Sequence, residues 1–414
     1  MKVRFVLTAL AMLAASSLTT APASRAFVAA PPAPMSATAC GQPGSGCEVL
    51  AGSIPNPRSL SKVQPDGSFF VGSAGSPAQD LFAEGAAGPG SDSDSSTIYR
   101  YTQADGLRPW VTPRTSQLLT VFDASFNGFV PYQAGVNGVE VAGGDLVYTI
   151  HSNRGTSNYV ERMRSYTADT GISFSEVRRI AGGATDPNGA ETVVADMGRA
   201  EIENNNPDGV LHAADNLGHK AGDPEYLSNP FGLVPDGDKL FVVDPGANTL
   251  YRVRQNGKPD LLTVFTHYVT ARQPVPTNIF RGPGGKLYAT LFRCANLFQP
   301  GAGGAIVEVS PDGKARAVSF HSLPISATFG PDGHLYVLEY ANLFSPNSGR
   351  VLRTTPQDYA DFDGRPVSDG VVVVEGLNFP IDLEFDREGR LLVLESADLD
   401  PFKTDGRITR FRLP

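Results

Sequence analysis

Cysteine is scarce in this chain. Three residues in 414, Cys40, Cys47 and Cys294, leave at least one without an intramolecular partner, which excludes a complete disulfide framework. Positive charge is also short: 34 Lys and Arg against 43 Asp and Glu give a formal net charge of -9. Phosphate recognition needs a basic stripe, so no nucleic-acid partner is expected. No apolar run beyond the N-terminus approaches the roughly 20 residues of a spanning helix, so no membrane span is expected. The zinc motif H-E-x-x-H, the G-x-S-x-G elbow and the Walker and dinucleotide glycine signatures are all missing, and no reaction can be named from motifs.

The first segment that is present is an export signal. Lys2 and Arg4 precede an apolar stretch from Phe5 to Leu18, and Ala21-Pro22-Ala23 has the small-x-small form that signal peptidases cut. Residues 1–23 are read as a signal peptide, and cleavage would move the formal charge from -9 to -11. The mature chain is expected in the periplasm or outside the cell, as a monomer. Residues 24–46 are rich in Ala and Pro near their start and read as a linker. Cys40 and Cys47 flank the flexible GQPGSG, so a disulfide is expected there, two free thiols being the plainer alternative. Cys294 reads as a small buried apolar residue.

A phrase recurs through the second half: apolar run, Asp-Gly-like turn, apolar run, long loop. Its turn glycines, Gly237, Gly285, Gly333 and Gly389, lie 48, 48 and 56 residues apart. Short strands at such a period point to the blades of a β-propeller, since each unit buries its faces only against its neighbours. Six inner strands start near Pro57, Val136, Pro230, Pro276, Pro324 and Pro380. The last repeat stops after its third strand, while Glu48–Ala51 has the phase of a fourth. The expected fold is therefore all-β: a six-bladed propeller spanning 47–414, closed by an N-terminal strand pairing into the last blade. Phe280, Leu287, Phe329, Leu335, Phe385 and Leu391 are expected to pack between blades.

Strand parity puts nearly every long loop on one face, where binding residues usually gather. The candidate ligand-binding residues at that rim are His151, Asn229, Asp244, Asn278, Glu339, Asp382 and Glu395, with Ser73, Asn56, Asn137, Thr290 and Ser326 beside them. Asp244, Glu339, Asp382 and Glu395 are oxygen donors that a calcium ion could use, although a polar, water-filled channel is the default account of them. Repeated Ala-Asn-Leu-Phe segments at 295–298 and 341–344, with Phe402, could form an apolar lip or pack their own loops. Thr192–Asn204 has the spacing of a short amphipathic helix whose acidic residues, Asp196, Glu201, Glu203 and Asp208, read as a solvated face.

NNNPDG followed by SNPFGL, VVDPGANTLYRV and the glycine-turn blades ending in LYVLE and LLVLE resembles the ScyD/ScyE family of exported bacterial proteins, associated by name with scytonemin gene clusters. LFVVDPGANTLYRV also looks like an NHL-type repeat. The resemblance implies a six-bladed propeller and supplies no catalytic set. Two functions follow as expectations. The first is an exported scaffold that recognises a small molecule or a cell-envelope or extracellular protein through its long-loop face, linked to specialised metabolism. The second is a metal-dependent hydrolase or lactonase like the gluconolactonases, with His151 as base.

Overall fold

Four-stranded antiparallel sheets account for almost all of the described chain. The computed structural model describes residues 33–42, 44–75, 92–93, 96–112, 116–123, 128–150, 175–211, 228–254, 258–268, 273–293, 303–340, 345–357, 369–395 and 405–414. From the channel outward, blade one is Pro57–Leu60, Phe69–Ser73, Thr97–Thr102 and Gly106–Val111. Blade two is Val136–Ala142, Asp145–Ile150, Glu176–Ile180 and Glu191–Asp196. Blade three is Leu233–Asp236, Lys239–Asp244, Thr249–Arg254 and Asp260–Val264. Blade four is Pro276–Arg281, Leu287–Leu291, Gly304–Val309 and Ala315–His321. Blade five is Pro324–Phe329, Leu335–Glu339, Gly349–Thr354 and Val371–Leu377. Blade six is Pro380–Phe385, Leu391–Glu395 and Gly406–Phe411, completed by Cys47–Ile54. A smaller sheet joins Asp92–Ser93, from the connection between the second and third strands of blade one, to the hairpin Ser116–Asp123 and Gly128–Ala134, which falls between blades one and two in sequence.

The inner strand of each blade lies against that of the next, from one to two and so on to six and back to one. The fold is a closed six-bladed β-propeller. Its seam is the expected one: Glu48 pairs with Arg410, Val49 with Thr409 and Ala51 with Ile408 in antiparallel register. The ends of the chain complete one sheet, so the ring has no radial edge left open.

The local chemistry explains the elements. Gly237, Gly285, Gly333 and Gly389 sit in the turns with φ of 61°, 73°, 77° and 73°, a region that side chains with a Cβ avoid. The second strands of blades four, five and six are buried on both faces, as continuous apolar runs require. Rings interlock between blades: Phe329 lies 6.0 Å from Phe280 and 5.1 Å from Tyr288, and Phe385 lies 4.8 Å from Tyr336. Such edge and tilted pairs add about 0.5–1.5 kcal/mol each beyond their burial. Near the channel the walls are closer still, because a Cβ on Gly138 would stand 2.2 Å from the Phe231 carbonyl oxygen. Only glycine lets the inner strands of blades two and three approach so closely.

Two expectations are corrected. The segment 24–46 is not linker throughout. Met35–Ser36 adds as a parallel strand beside Val371–Leu377, Ala37 is buried, and Cys40 is bonded to Cys47. Apolar contacts of Met35, Ala37 and both cysteines with the packing of blades five and six supply the order that composition hides. The helix expected over 192–204 begins later. Glu191–Asp196 is the outer strand of blade two, and helix α1 spans Met197–Glu203, capped where Asp196 accepts from the Arg199 amide at 2.8 Å. The unpaired edge of Glu176–Ile180 claims Thr192, Val193 and Val194, whose β-branched side chains suit a strand. Among the described residues no helix is long and apolar enough to cross a membrane.

Candidate functional site

Three rim carboxylates occupy one structural position, the last residue of a second strand: Asp244, Glu339 and Glu395. Each is buried, and each accepts from a backbone amide leading into its own blade's inner strand. Asp244 takes the Asn229 amide at 2.6 Å, Glu339 that of Ser322 at 2.9 Å and Glu395 that of Asn378 at 2.8 Å. The remaining oxygen capacity is also used. Asp244 accepts from Ser228 Oγ at 2.7 Å and from the amides of Gly246 and Ala247 at 3.0 and 3.1 Å. Glu339 meets Arg350 Nε at 2.7 Å, and Glu395 meets Arg407 Nε at 3.0 Å and Thr409 Oγ1 at 2.9 Å. Burial pushes Asp244 up to about 6 even though its donors favour the charged form. These groups fasten the entry to each blade.

The fourth expected ligand points elsewhere. Asp382 is the third residue of the inner strand of blade six, and its equivalents are Ser59, Gly138, Gly232, Asn278 and Ser326. Asp382 Oδ1 accepts from Ser326 Oγ at 2.6 Å and Asn278 Nδ2 at 3.4 Å, while Oδ2 accepts from the Leu60 amide at 2.7 Å. It ties together blades four, five, six and one, and burial pushes it up to about 6. Opposite, Asn137 Nδ2 donates to Asn229 Oδ1 at 3.0 Å and to the Pro230 carbonyl at 3.1 Å. The expected calcium set is therefore not assembled. Among the described residues no three of His, Cys, Asp and Glu gather as metal ligands. His151, Cys294, the Ala-Asn-Leu-Phe segments and Phe402 lie outside the described residues.

Sequence reading missed a buried histidine at this rim. His321 Nε2 lies 2.6 Å from Ser319 Oγ, and its Nδ1 lies 3.3 Å from Glu339 Oε1. The connectivity is that of a nucleophile, base and acid. Ser319, His321 and Glu339 are 1%, 0% and 0% exposed, so a substrate carbonyl has no approach to the serine as it stands.

The inner strands border a narrow central channel. Fourth-position residues Leu60, Val139, Leu233, Ile279, Ala327 and Leu383 are buried between blades, so period two turns positions three and five inward. The fifth-position residues bordering the channel are Glu140, Val234, Phe280, Thr328 and Glu384, with Lys62 beside them from blade one. They lie toward the short-turn end. Charge on the wall is one-sided: blades six, one and two bring Asp382, Glu384, Lys62 and Glu140, whereas blades three and four bring the uncharged Val234, Asn278 and Phe280.

Both glutamates are half-buried because they border the channel, yet protein surrounds them. Burial, and then the charge of Glu384, push Glu140 up to about 8 despite Lys62 nearby. Burial pushes Glu384 up to about 7. Their hydrogen bonding is thin. Glu140 accepts long contacts from the Lys62 amide, at 3.3 and 3.4 Å, with the Val141 amide also near, and Glu384 Oε1 accepts from the Phe385 amide at 2.8 Å. Counting inner-strand parity from Val136 and Pro380 would have found both.

With this geometry in view, the chain can be set beside known proteins. No protein-family model and no curated protein matches it. Solved structures do resemble it in backbone. A gluconolactonase from Xanthomonas campestris is 12% identical, with 89% of each chain covered and a TM-score of 0.47. An oxidoreductase described as a glucose dehydrogenase from Thermus thermophilus is 15% identical, covering 88% of this chain and 99% of that one, with a TM-score of 0.48. Virginiamycin B lyase from Staphylococcus aureus is 12% identical, covering 87% and 97%, with a TM-score of 0.41. Their activities differ from one another and do not transfer at this similarity. The architecture rests on the six sheets and the closed ring of inner strands.

Proposed function

We propose that this chain is an exported binding propeller of the ScyD/ScyE kind, whose central channel holds a small organic cation with an apolar body. The observation that carries this reading is the one-sided charge of the channel wall. Glu140 and Glu384 are ionisable and held close to neutrality by burial, and they share the channel lining with the apolar Val234 and Phe280. Perturbed carboxyls lining a cleft are where a ligand gains most from charge and apolar contact together. The signal-like N-terminus and the Cys40–Cys47 disulfide support an oxidising, exported setting.

A hydrolase is less well supported, because the rim carboxylates are committed to amides and arginines and Ser319 is buried. Calorimetric titration with tyramine as a probe tests the binding reading. The cation favours the ionised glutamates, so binding near pH 7 should release protons and tighten from pH 6 to 9. Glu140→Gln with Glu384→Gln should weaken it at least tenfold. Failure of tyramine and smaller primary amines to bind wild-type protein would remove this assignment.

A further inference from the structure

A second group of buried oxygens lies under helix α1, away from the channel wall. Glu201 is 1% exposed, and neither Oε1 nor Oε2 has a hydrogen-bond partner. The expectation of a solvated acidic face holds for its neighbour instead: Glu203 is exposed and pairs with Arg199 and Lys258, both at 2.6 Å. Glu201 faces inward with Met197 and Ala200, which belong to one apolar cluster with Val177 of blade two and Tyr251 of blade three.

Tyr251 lies within reach of the Glu201 charge, and more oxygen lies beside it. Thr249 Oγ1 and Tyr251 Oη, two residues apart on one strand, are fully buried and also without hydrogen-bond partners. Tyr251 Oη lies beside Thr249 and Asn204 but reaches hydrogen-bond geometry with neither. Asn206 Oδ1, on the loop that ends the helix, is a further buried oxygen without a partner. Asp244 and Asp208 add negative charge. Both are satisfied, Asp208 by Asn248 Nδ2 at 2.8 Å and the Val210 amide at 3.0 Å. Burial, then Asp244, then Asp208 push Glu201 up to about 10, and no cationic side chain offsets them. A carboxylate, two hydroxyls and an amide oxygen left unsatisfied in one region of a folded protein call for an explanation.

We propose that this cluster is a binding site for a hard divalent cation of the calcium class, anchored by both oxygens of Glu201 with Thr249 and Tyr251 beside it. The donors are all oxygen, which selects calcium or magnesium over softer metals. The flexible coordination of calcium suits a shell with one carboxylate, completed by hydroxyl, amide and water oxygens. Asp208 and Asp244 act through their field rather than as ligands, in keeping with the absence of three clustered acids among the described residues. The bound ion would fasten α1 and the NNNPDG turn to blade three.

The test uses the full mature chain, treated with chelator and dialysed. At pH 8, CaCl2 at 1 mM should raise the thermal midpoint by several degrees relative to NaCl of equal ionic strength, and elemental analysis should find one calcium per chain. Glu201→Gln should abolish both effects while remaining folded, since the amide is close in shape to the uncharged carboxyl of the metal-free protein. Thr249→Val should weaken calcium binding at least tenfold. Glu140→Gln with Glu384→Gln should leave the calcium effect intact, which separates this site from the channel. Absence of a calcium shift and of bound metal in wild-type protein would overturn the proposal, as would a shift retained in Glu201→Gln. If Glu201→Gln does not fold, wild-type metal content and the Thr249→Val affinity decide it.

Discussion

Arg410 Nε donates to Glu48 Oε1 at 2.8 Å across 362 positions of sequence. The contact lies on the pairing of Cys47–Ile54 with Gly406–Phe411, where the ring closes. Without the N-terminal strand, blade six would present an unpaired edge.

Deleting residues 33–54 from the mature chain should therefore abolish cooperative unfolding, seen as loss of the near-ultraviolet dichroism transition. Arg410→Ala should cost less than about 1 kcal/mol, because Glu48 is half exposed and such pairs contribute little. A truncated chain that still unfolds cooperatively would show that the seam is dispensable.

The Cys40–Cys47 bond closes a short loop, with a sequence separation of 7. Chain-entropy arithmetic for a loop of this length gives about 2–3 kcal/mol. Replacing both cysteines by serine should lower the stability from denaturant unfolding by about that amount. Amide exchange should rise first at Met35–Ser36, which the clasp holds beside blade five.

The Glu339 carboxylate serves Ser322, His321 and Arg350 from a fully buried position. Glu339→Ala should cost about 3 kcal/mol or more, since it leaves buried donors unpaired. Ser319, buried beneath the same network, should resist fluorophosphonate labelling in the native protein. Rapid, stoichiometric modification of Ser319 would restore the hydrolase reading.

Stability should depend on pH through the channel. Glu140 and Glu384 have an ordinary value of 4.5 and are raised to about 8 and about 7. The folded state then binds these protons more tightly than the unfolded chain does. Their contribution is complete below about pH 4.5 and is lost as pH rises through 7 and 8. Each group contributes at most about 1.4 kcal/mol per pH unit, less where solvent enters the channel. Denaturant midpoints should fall between pH 5 and 8, and the double glutamine variant should flatten that fall. An unchanged slope in the variant would place the titrating groups elsewhere.

The ring was legible because its signals are local. Turn glycines, inner-strand prolines and period-two apolar runs each need only a few neighbouring residues to be read, and they located the inner strands and the seam. The start of α1 was not legible in this way. Thr192, Val193 and Val194 fit either period, and only the open edge of blade two decides between them. The rim carboxylates were found by position but not by role, because the same letter serves a ligand and a cap. The Ser322 amide that engages Glu339 is 17 residues away in sequence. Glu201 reads as solvated from sequence because helix spacing alone does not say which side meets the blades.

The most direct test of the channel assignment is carbon-13 NMR titration of the side-chain carboxyls of Glu140 and Glu384, with and without tyramine. The account predicts midpoints near 8 and 7 in the free protein, both moving down when the amine is present. Midpoints near 4.5 that ignore the amine would contradict it.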